Sequence, residues 1–307
     1  MKLVYRILFF FLYLLSLLPL RLLYFFSDCL FFPLFYVVKY RREVVKKQLD
    51  ECFPEKSMKE KRDIERQFYH FFCDYLMEVI KLFSISKKEM MRRMEFVGLD
   101  EVRADLEREN KKFCFLYLGH YCNWEYIASL AYWLPEIHCG QIYHRIYNQS
   151  FDDLFLKLRG QFGGESILMK DTLRRILTLR GQEKKVMIGF ISDQLPKWEN
   201  MNHWITFLNH ETSFFIGAER IAKQVDAALY YVRVERIRRG YYRASFECMA
   251  LHPKEYPDYE LTDLYSRRLE EQIRQQPGYW LWTHKRWKRT KEDWLKWKES
   301  NSKKALR

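Results

Sequence analysis

The chain has 307 residues, 48% hydrophobic and 18% aromatic, which is enough for one large core or two small ones and too apolar for a disordered polymer. Lysine plus arginine number 53 against 40 aspartates and glutamates, so a net charge of +13 favours an acidic partner: anionic lipid headgroups, an acidic carrier protein or nucleic acid. The seven cysteines are scattered without a Cys-x-x-Cys pair, so they suggest neither a disulfide framework nor a zinc ribbon and fit a reducing compartment.

The N-terminus is lipid-facing chemistry. Fourteen uncharged residues run from Ile7 to Leu20, and after Arg21, a short apolar run, Ser27 and Asp28 a second uncharged run extends from Cys29 to Val38. Each is shorter than the roughly 20 residues of a perpendicular spanning helix, so one long tilted helix, a re-entrant pair and a helix lying in one leaflet all remain open. No small-residue cleavage site follows, which argues against a signal peptide. The basic residues Lys39, Arg41, Arg42, Lys46 and Lys47 come next and would hold this end on the cytoplasmic side.

Ser57 and Glu60 form a Ser-x-x-Glu capping box, which predicts a helix start. Ile64, Phe68, Phe71, Phe72, Tyr75, Leu76, Val79, Ile80 and Phe83 then keep the spacing of one buried helical face. His70 and Asp74 on this helix read as surface or satisfied core residues. The middle of the chain alternates. Phe113–Leu118 and Val186–Ile191 are continuous apolar runs of the kind found in strands buried on both faces. Residues 151–158 and 171–179 read as helices, and the stretch from Ala227 to Leu251 reads as two strands turning near Arg238, Arg239 and Gly240. The expected fold is α/β: a mixed central sheet flanked by helices, preceded by an N-terminal hydrophobic membrane-anchor helix.

Reactive groups in such sheets sit beyond the carboxyl ends of strands. His120 follows the first apolar run, and Glu125 lies five residues on. On one continuous helix the two would point about 140° apart. If the strand ends at Gly119 and Asn123 caps the next helix, however, His120 lies in the turn, Glu125 in the first helical turn, and the two can meet. A carboxylate on one ring nitrogen fixes the tautomer and leaves the other nitrogen to take a proton. From these residues alone His120 reads either as a general base or as a structural histidine. Cys122 is a rival thiol nucleophile, or else a small buried residue. His138, His144, His203 and His210 lack metal-ligand spacing, so no metal is expected. The C-terminal run around His284, with Trp280, Trp282, Trp287, Trp294 and Trp297, reads as interfacial docking in preference to nucleic-acid stacking.

"LGHYCNWE" (Leu118–Glu125) resembles the His-x4-acid signature of the glycerolipid and lysophospholipid acyltransferase superfamily, in the glutamate form of the bacterial lipid A biosynthesis acyltransferases. "DQLPK" (Asp193–Lys197) resembles that family's Asp-Gln motif, Arg145 and Arg159 stand where it carries arginines, and "PGYWLWTHKRWK" (Pro277–Lys288) resembles its closing segment. Cys122 departs from the family, which commonly has glycine before the asparagine. The resemblance covers nearly the whole chain. It implies a membrane anchor over residues 1–40 and an acyltransferase domain over 41–307, in the bacterial inner membrane with the catalytic side facing the cytoplasm. The implied activity moves a fatty acyl group from acyl carrier protein to a hydroxyl of a lipid A precursor, without a cofactor or nucleic acid. His120 would be the general base, oriented by Glu125. Arg159 and Arg145 would stabilise negative charge, Asp193 would hold one of these arginines or line the pocket, and Gln194 would bind substrate or stabilise charge. Another glycolipid, an aminolipid or a pigment as acceptor, or a non-catalytic membrane protein of the same fold, are the alternatives.

Overall fold

A computed structural model describes residues 2–305. It opens with α1 (Lys2–Ser16) and α2 (Leu20–Phe32), which runs on into a π-helical turn, Pro33–Val37, whose first residue is a proline. Arg41, at a φ of 52°, breaks the path before α3 (Arg42–Cys52). The capping box forms as expected: the Ser57 hydroxyl accepts from the Glu60 amide and Glu60 accepts from the Ser57 amide, starting α4 (Met58–Lys81). Its apolar face is buried through Phe68, Phe71 and Tyr75, but Glu65, Asp74 and Glu78 are buried on the same helix, which periodicity does not foretell.

The chain continues through α5 (Lys87–Arg93), β1 (Met94–Val97), α6 (Leu99–Arg108), β2 (Phe113–Leu118), a 3-10 helix (Trp124–Tyr132) and β3 (His138–Tyr143). After these come α7 (Gln149–Gly160), β4 (Glu165–Leu168), α8 (Thr172–Leu179) and β5 (Val186–Ile191). A small hairpin, β6 (Trp204–Phe207) with β7 (His210–Ser213), precedes α9 (Gly217–Val225), β8 (Ala228–Arg238), β9 (Tyr241–Ala250), α10 (Glu260–Gln275) and α11 (Lys291–Ala305).

The main sheet has the order β1-β9-β8-β2-β5-β3-β4. β8, β2, β5, β3 and β4 run parallel, and β9 folds back antiparallel to β8 through a turn at Gly240, where φ is +75°. All six residues of β2 are buried, which explains why its sequence is apolar without alternation. The fold is the expected mixed α/β sheet flanked by helices. The carboxyl ends of β2 and β5 lie side by side at its centre, and loops leave the sheet there.

Candidate active site

β2 and β5 pair in parallel register with Leu118 opposite Ile191. Two residues beyond those partners stand His120 and Asp193, and the parallel register brings them together. The Asp193 carboxylate accepts twice from His120: Oδ1 from ring Nδ1 at 2.6 Å and Oδ2 from the backbone N–H at 2.8 Å. Oδ2 also accepts from Trp280 Nε1 at 2.8 Å. Asp193 is only 2% exposed. Burial alone would raise its pKa, but the His120 charge and the hydrogen bonds from His120 and Trp280 outweigh it and bring the carboxyl down to about 2. A carboxylate at Nδ1 requires the ring proton there, so in the neutral ring Nε2 carries the lone pair. Gln194 Nε2 lies 3.3 Å from that nitrogen and can donate to it.

Gly119 allows this close approach. A Cβ built there would lie 2.6 Å from Leu269 Cδ1 and 3.3 Å from Asp193 Oδ2. From the other side the C-terminal segment closes on the histidine loop: Leu281 N–H donates to the His120 carbonyl at 3.1 Å and Cys122 N–H to the Tyr279 carbonyl at 3.0 Å. Trp280 and Trp282 are buried at 3% and 0%, so these two hold the site together and are not free for interfacial docking. His284 accepts from Leu195 N–H at 3.3 Å, pinning the loop that carries Asp193 and Gln194. Burial pushes its pKa down to about 4, so it accepts as a neutral ring near neutral pH.

Asn123 caps the next helix as expected, its side chain accepting from Tyr126 N–H at 3.2 Å, although that helix is 3-10. Glu125 does fall in the first turn. The expected contact between Glu125 and His120, however, does not form. Arg159, near the end of α7, takes both carboxylate oxygens of Glu125, Nε at 2.8 Å and Nη2 at 2.6 Å. The Glu125 side chain is 4% exposed and that of Arg159 21%. A buried carboxylate needs a cation, and the planar guanidinium satisfies it with two parallel bonds, so the glutamate belongs to the arginine and the aspartate to the histidine. Asp193 therefore holds His120 and, among the described residues, pairs with no arginine. Trp124 stands edge-on to the His120 ring, centroids 5.1 Å apart, and stacks at a tilt on Tyr75, 4.4 Å away.

Arg145 lies just past β3 on the surface, 3.6 Å from Asp152 and well exposed. Cys122 is fully buried at a φ of 52°, a left-handed conformation that suits glycine, and burial raises its thiol pKa far above the ordinary value, which removes it as a nucleophile. Trp280 was the functional contact hidden from the sequence. It sits 87 residues from Asp193, and only its place in an aromatic closing motif marked it.

An imidazole held at Nδ1 by an ionised aspartate, with its Nε2 lone pair met, among the described residues, only by the Gln194 amide at the carboxyl end of a central strand, is equipped to take a proton from a hydroxyl. No relative of this chain is found among curated proteins. The family model described as bacterial lipid A biosynthesis acyltransferase matches residues 2–289, nearly the whole length. The chain therefore belongs to the bacterial lipid A biosynthesis acyltransferase family.

Proposed function

We propose that this acyltransferase moves a fatty acyl group from acyl carrier protein to a hydroxyl of a lipid A precursor at the cytoplasmic face of the inner membrane. The observation that carries the reading is the His120–Asp193 pair at 2.6 Å, together with the family match. His120 Nε2 takes the hydroxyl proton as the oxygen attacks the thioester carbonyl. Asp193 holds the other ring nitrogen and stabilises the imidazolium that forms. The tetrahedral intermediate collapses, the carbon–sulfur bond breaks, and the imidazolium returns its proton to the departing thiolate. No acyl-enzyme is required.

Gln194 occupies the place of the substrate hydroxyl at Nε2 and must yield it when the acceptor binds. Its amide is then free to donate to the developing oxyanion. Arg159 spends Nε and Nη2 on Glu125, while Nη1 makes no hydrogen bond among the described residues and is available to a phosphate or an oxyanion. In this reading Glu125 acts through Arg159. Arg145, exposed beyond β3, meets anionic groups farther out. The basic surface suits an acidic carrier.

The test is acyl transfer by the purified full chain in detergent, with mass spectrometry of a lipid A precursor as readout. Acyl carrier protein and coenzyme A thioesters of one chain length serve as donors. The reading expects a single added acyl group, higher kcat/KM with the carrier, a steeper fall of that rate with salt, and loss of transfer in His120→Ala. Acylation of a different lipid only would move the acceptor assignment. Equal rates and salt dependence for both donors would remove the carrier.

A further inference from the structure

The N-terminal apolar segment is long enough to cross a bilayer, since Leu20–Val37 forms an unbroken 18-residue helical stretch. Its inner side nevertheless lies along α4 from end to end. At the turn between α1 and α2, Lys81 Nζ donates to the Ser16 and Leu18 carbonyls at 2.8 and 3.1 Å, and the Ser84 hydroxyl also donates to Ser16. Midway, Tyr24 donates to Glu78 at 2.8 Å and Ser27 to Asp74 at 2.6 Å. Arg239, from the β8–β9 turn, bridges Asp28 and Asp74. Near the end, the Phe31 ring stacks on His70 at 3.6 Å and Arg42 lies over Phe35 at 3.8 Å. The partners on α4 step backward from Lys81 through Glu78 and Asp74 to His70, one helical turn at a time. α2 is therefore antiparallel to α4 along its whole length.

This arrangement cannot coexist with a perpendicular span. Placing α2 across the hydrocarbon would carry Asp74, Glu78, Arg239 and Lys81 in with it, and a re-entrant pair would put the Lys81 ammonium at its deepest point. What α2 leaves outside is one apolar stripe: Leu22, Phe25, Phe26, Phe32 and Val37 are all exposed, at helical spacing. On α1, Phe10 and Phe11 are exposed as well. Exposed cations stand at its two ends, Arg21 near the start of α2 and Lys39 and Arg41 after the π-helical turn. Asp28, the acid carried by α2 itself, is paired with Arg239. An apolar, aromatic stripe ended by cations matches the boundary of anionic headgroups and acyl chains.

We propose that α2 lies in the plane of one leaflet, its outer stripe buried in a lipid surface and its inner face docked on α4, so that the catalytic body rests on the membrane side-on. This deepens the lipid-acceptor reading and rests on it for the presence of a membrane. The depth measurement below needs no turnover, so a failure of the acyl-transfer assignment leaves it intact.

The test uses the full chain with Cys29→Ser and Cys248→Ser, bound to vesicles of phosphatidylethanolamine and phosphatidylglycerol. Nitroxide labels are placed singly at Leu17→Cys, Leu22→Cys, Phe25→Cys and Phe32→Cys, all exposed sites whose replacement leaves the core untouched. Depth is read from collisions with oxygen and with a water-soluble nickel complex. The expected result is that labels at 22, 25 and 32 sit within about 5 Å of one common depth, shallow in the leaflet, with 17 no deeper. A depth rising by about 15 Å from 22 to 32, ten residues at 1.5 Å each, would show a span and overturn the proposal. So would a maximum at 17, failure to bind the vesicles, or labels shielded from bilayer oxygen and close to those of a second copy.

Discussion

If Glu125 belongs to Arg159 and not to His120, the two residues must behave as one unit in stability and in rate. Arg159→Met strands a carboxylate that is 4% exposed, and a buried charge left alone costs about 3–5 kcal/mol. Glu125→Gln keeps the shape and one acceptor oxygen but removes the charge opposite the guanidinium, for about 1.5–3 kcal/mol. With an unfolding entropy near 2.1 cal/mol/K per residue, each kcal/mol shifts the melting temperature of a chain this long by roughly 1.5 °C, so Arg159→Met should melt about 5–8 °C low. The double variant strands no charge and should lose less than the sum of the singles by about 1–3 kcal/mol. Melting in detergent by circular dichroism measures this, and kcat is taken on the same preparations. Each single variant should be slow. In the Arg159→Met background, however, adding Glu125→Gln should change kcat by less than about twofold, because the glutamate then has nothing left to hold. A further tenfold loss in that background, or melting losses that simply add, would refute the assignment of Glu125 to Arg159.

Gly119→Ala places a methyl 2.6 Å from Leu269 Cδ1 and 3.3 Å from Asp193 Oδ2, so it should cost about 1–3 kcal/mol in urea unfolding and lower kcat as the His120–Asp193 bond is pushed apart. Unchanged stability and unchanged rate together would contradict that packing. Cys122→Gly should keep most activity, since relief of the left-handed strain, about 1–2 kcal/mol, offsets the buried contact that is lost, whereas an inactive but folded variant would return the thiol to the mechanism. For His284, the folded pKa of about 4 lies below the unfolded value of about 6.5. The unfolded chain therefore binds the proton first, and the stability due to the neutral ring is full above pH 6.5 and lost as pH falls from 6.5 to 4, by about 3 kcal/mol in all. His284→Gln should flatten that part of the stability–pH curve, and a curve with the wild-type slope would show that another group is responsible.

What the sequence revealed follows the range of the interactions. β2 and β5 were legible because strands buried on both faces are apolar without interruption, and the caps at Ser57 and Asn123 because a cap is settled within three residues. The His120–Asp193 pair depends on β5 lying beside β2, two strands separated in the chain by β3 and β4, and apolar runs do not state their neighbours. Spacing placed Glu125 in the correct helical turn but could not show that Arg159, 34 residues on, would claim both its oxygens. The tryptophans of the closing segment divide in the same way. Trp280 and Trp282 are buried against the site, while Trp294 and Trp297 are half-exposed and face Trp204 and Trp198. A run of aromatic and basic residues does not reveal which rings turn inward. The buried acids Asp74 and Glu78 of α4 were unreadable because partners such as Tyr24, Ser27 and Arg239 come from distant parts of the chain.

The central claim is that Asp193 fixes the His120 tautomer and thereby makes Nε2 the base. Asp193→Asn preserves size, and its amide can still meet Trp280 or the His120 backbone, but it can donate to Nδ1 and so draw the ring proton to Nε2. Steady-state kinetics of this variant, at saturating donor and acceptor with folding confirmed by its melting curve, measure the consequence directly. The account predicts a fall in kcat of about 10²- to 10⁴-fold with KM changed little. A folded Asp193→Asn enzyme turning over within about threefold of the parent chain would contradict it.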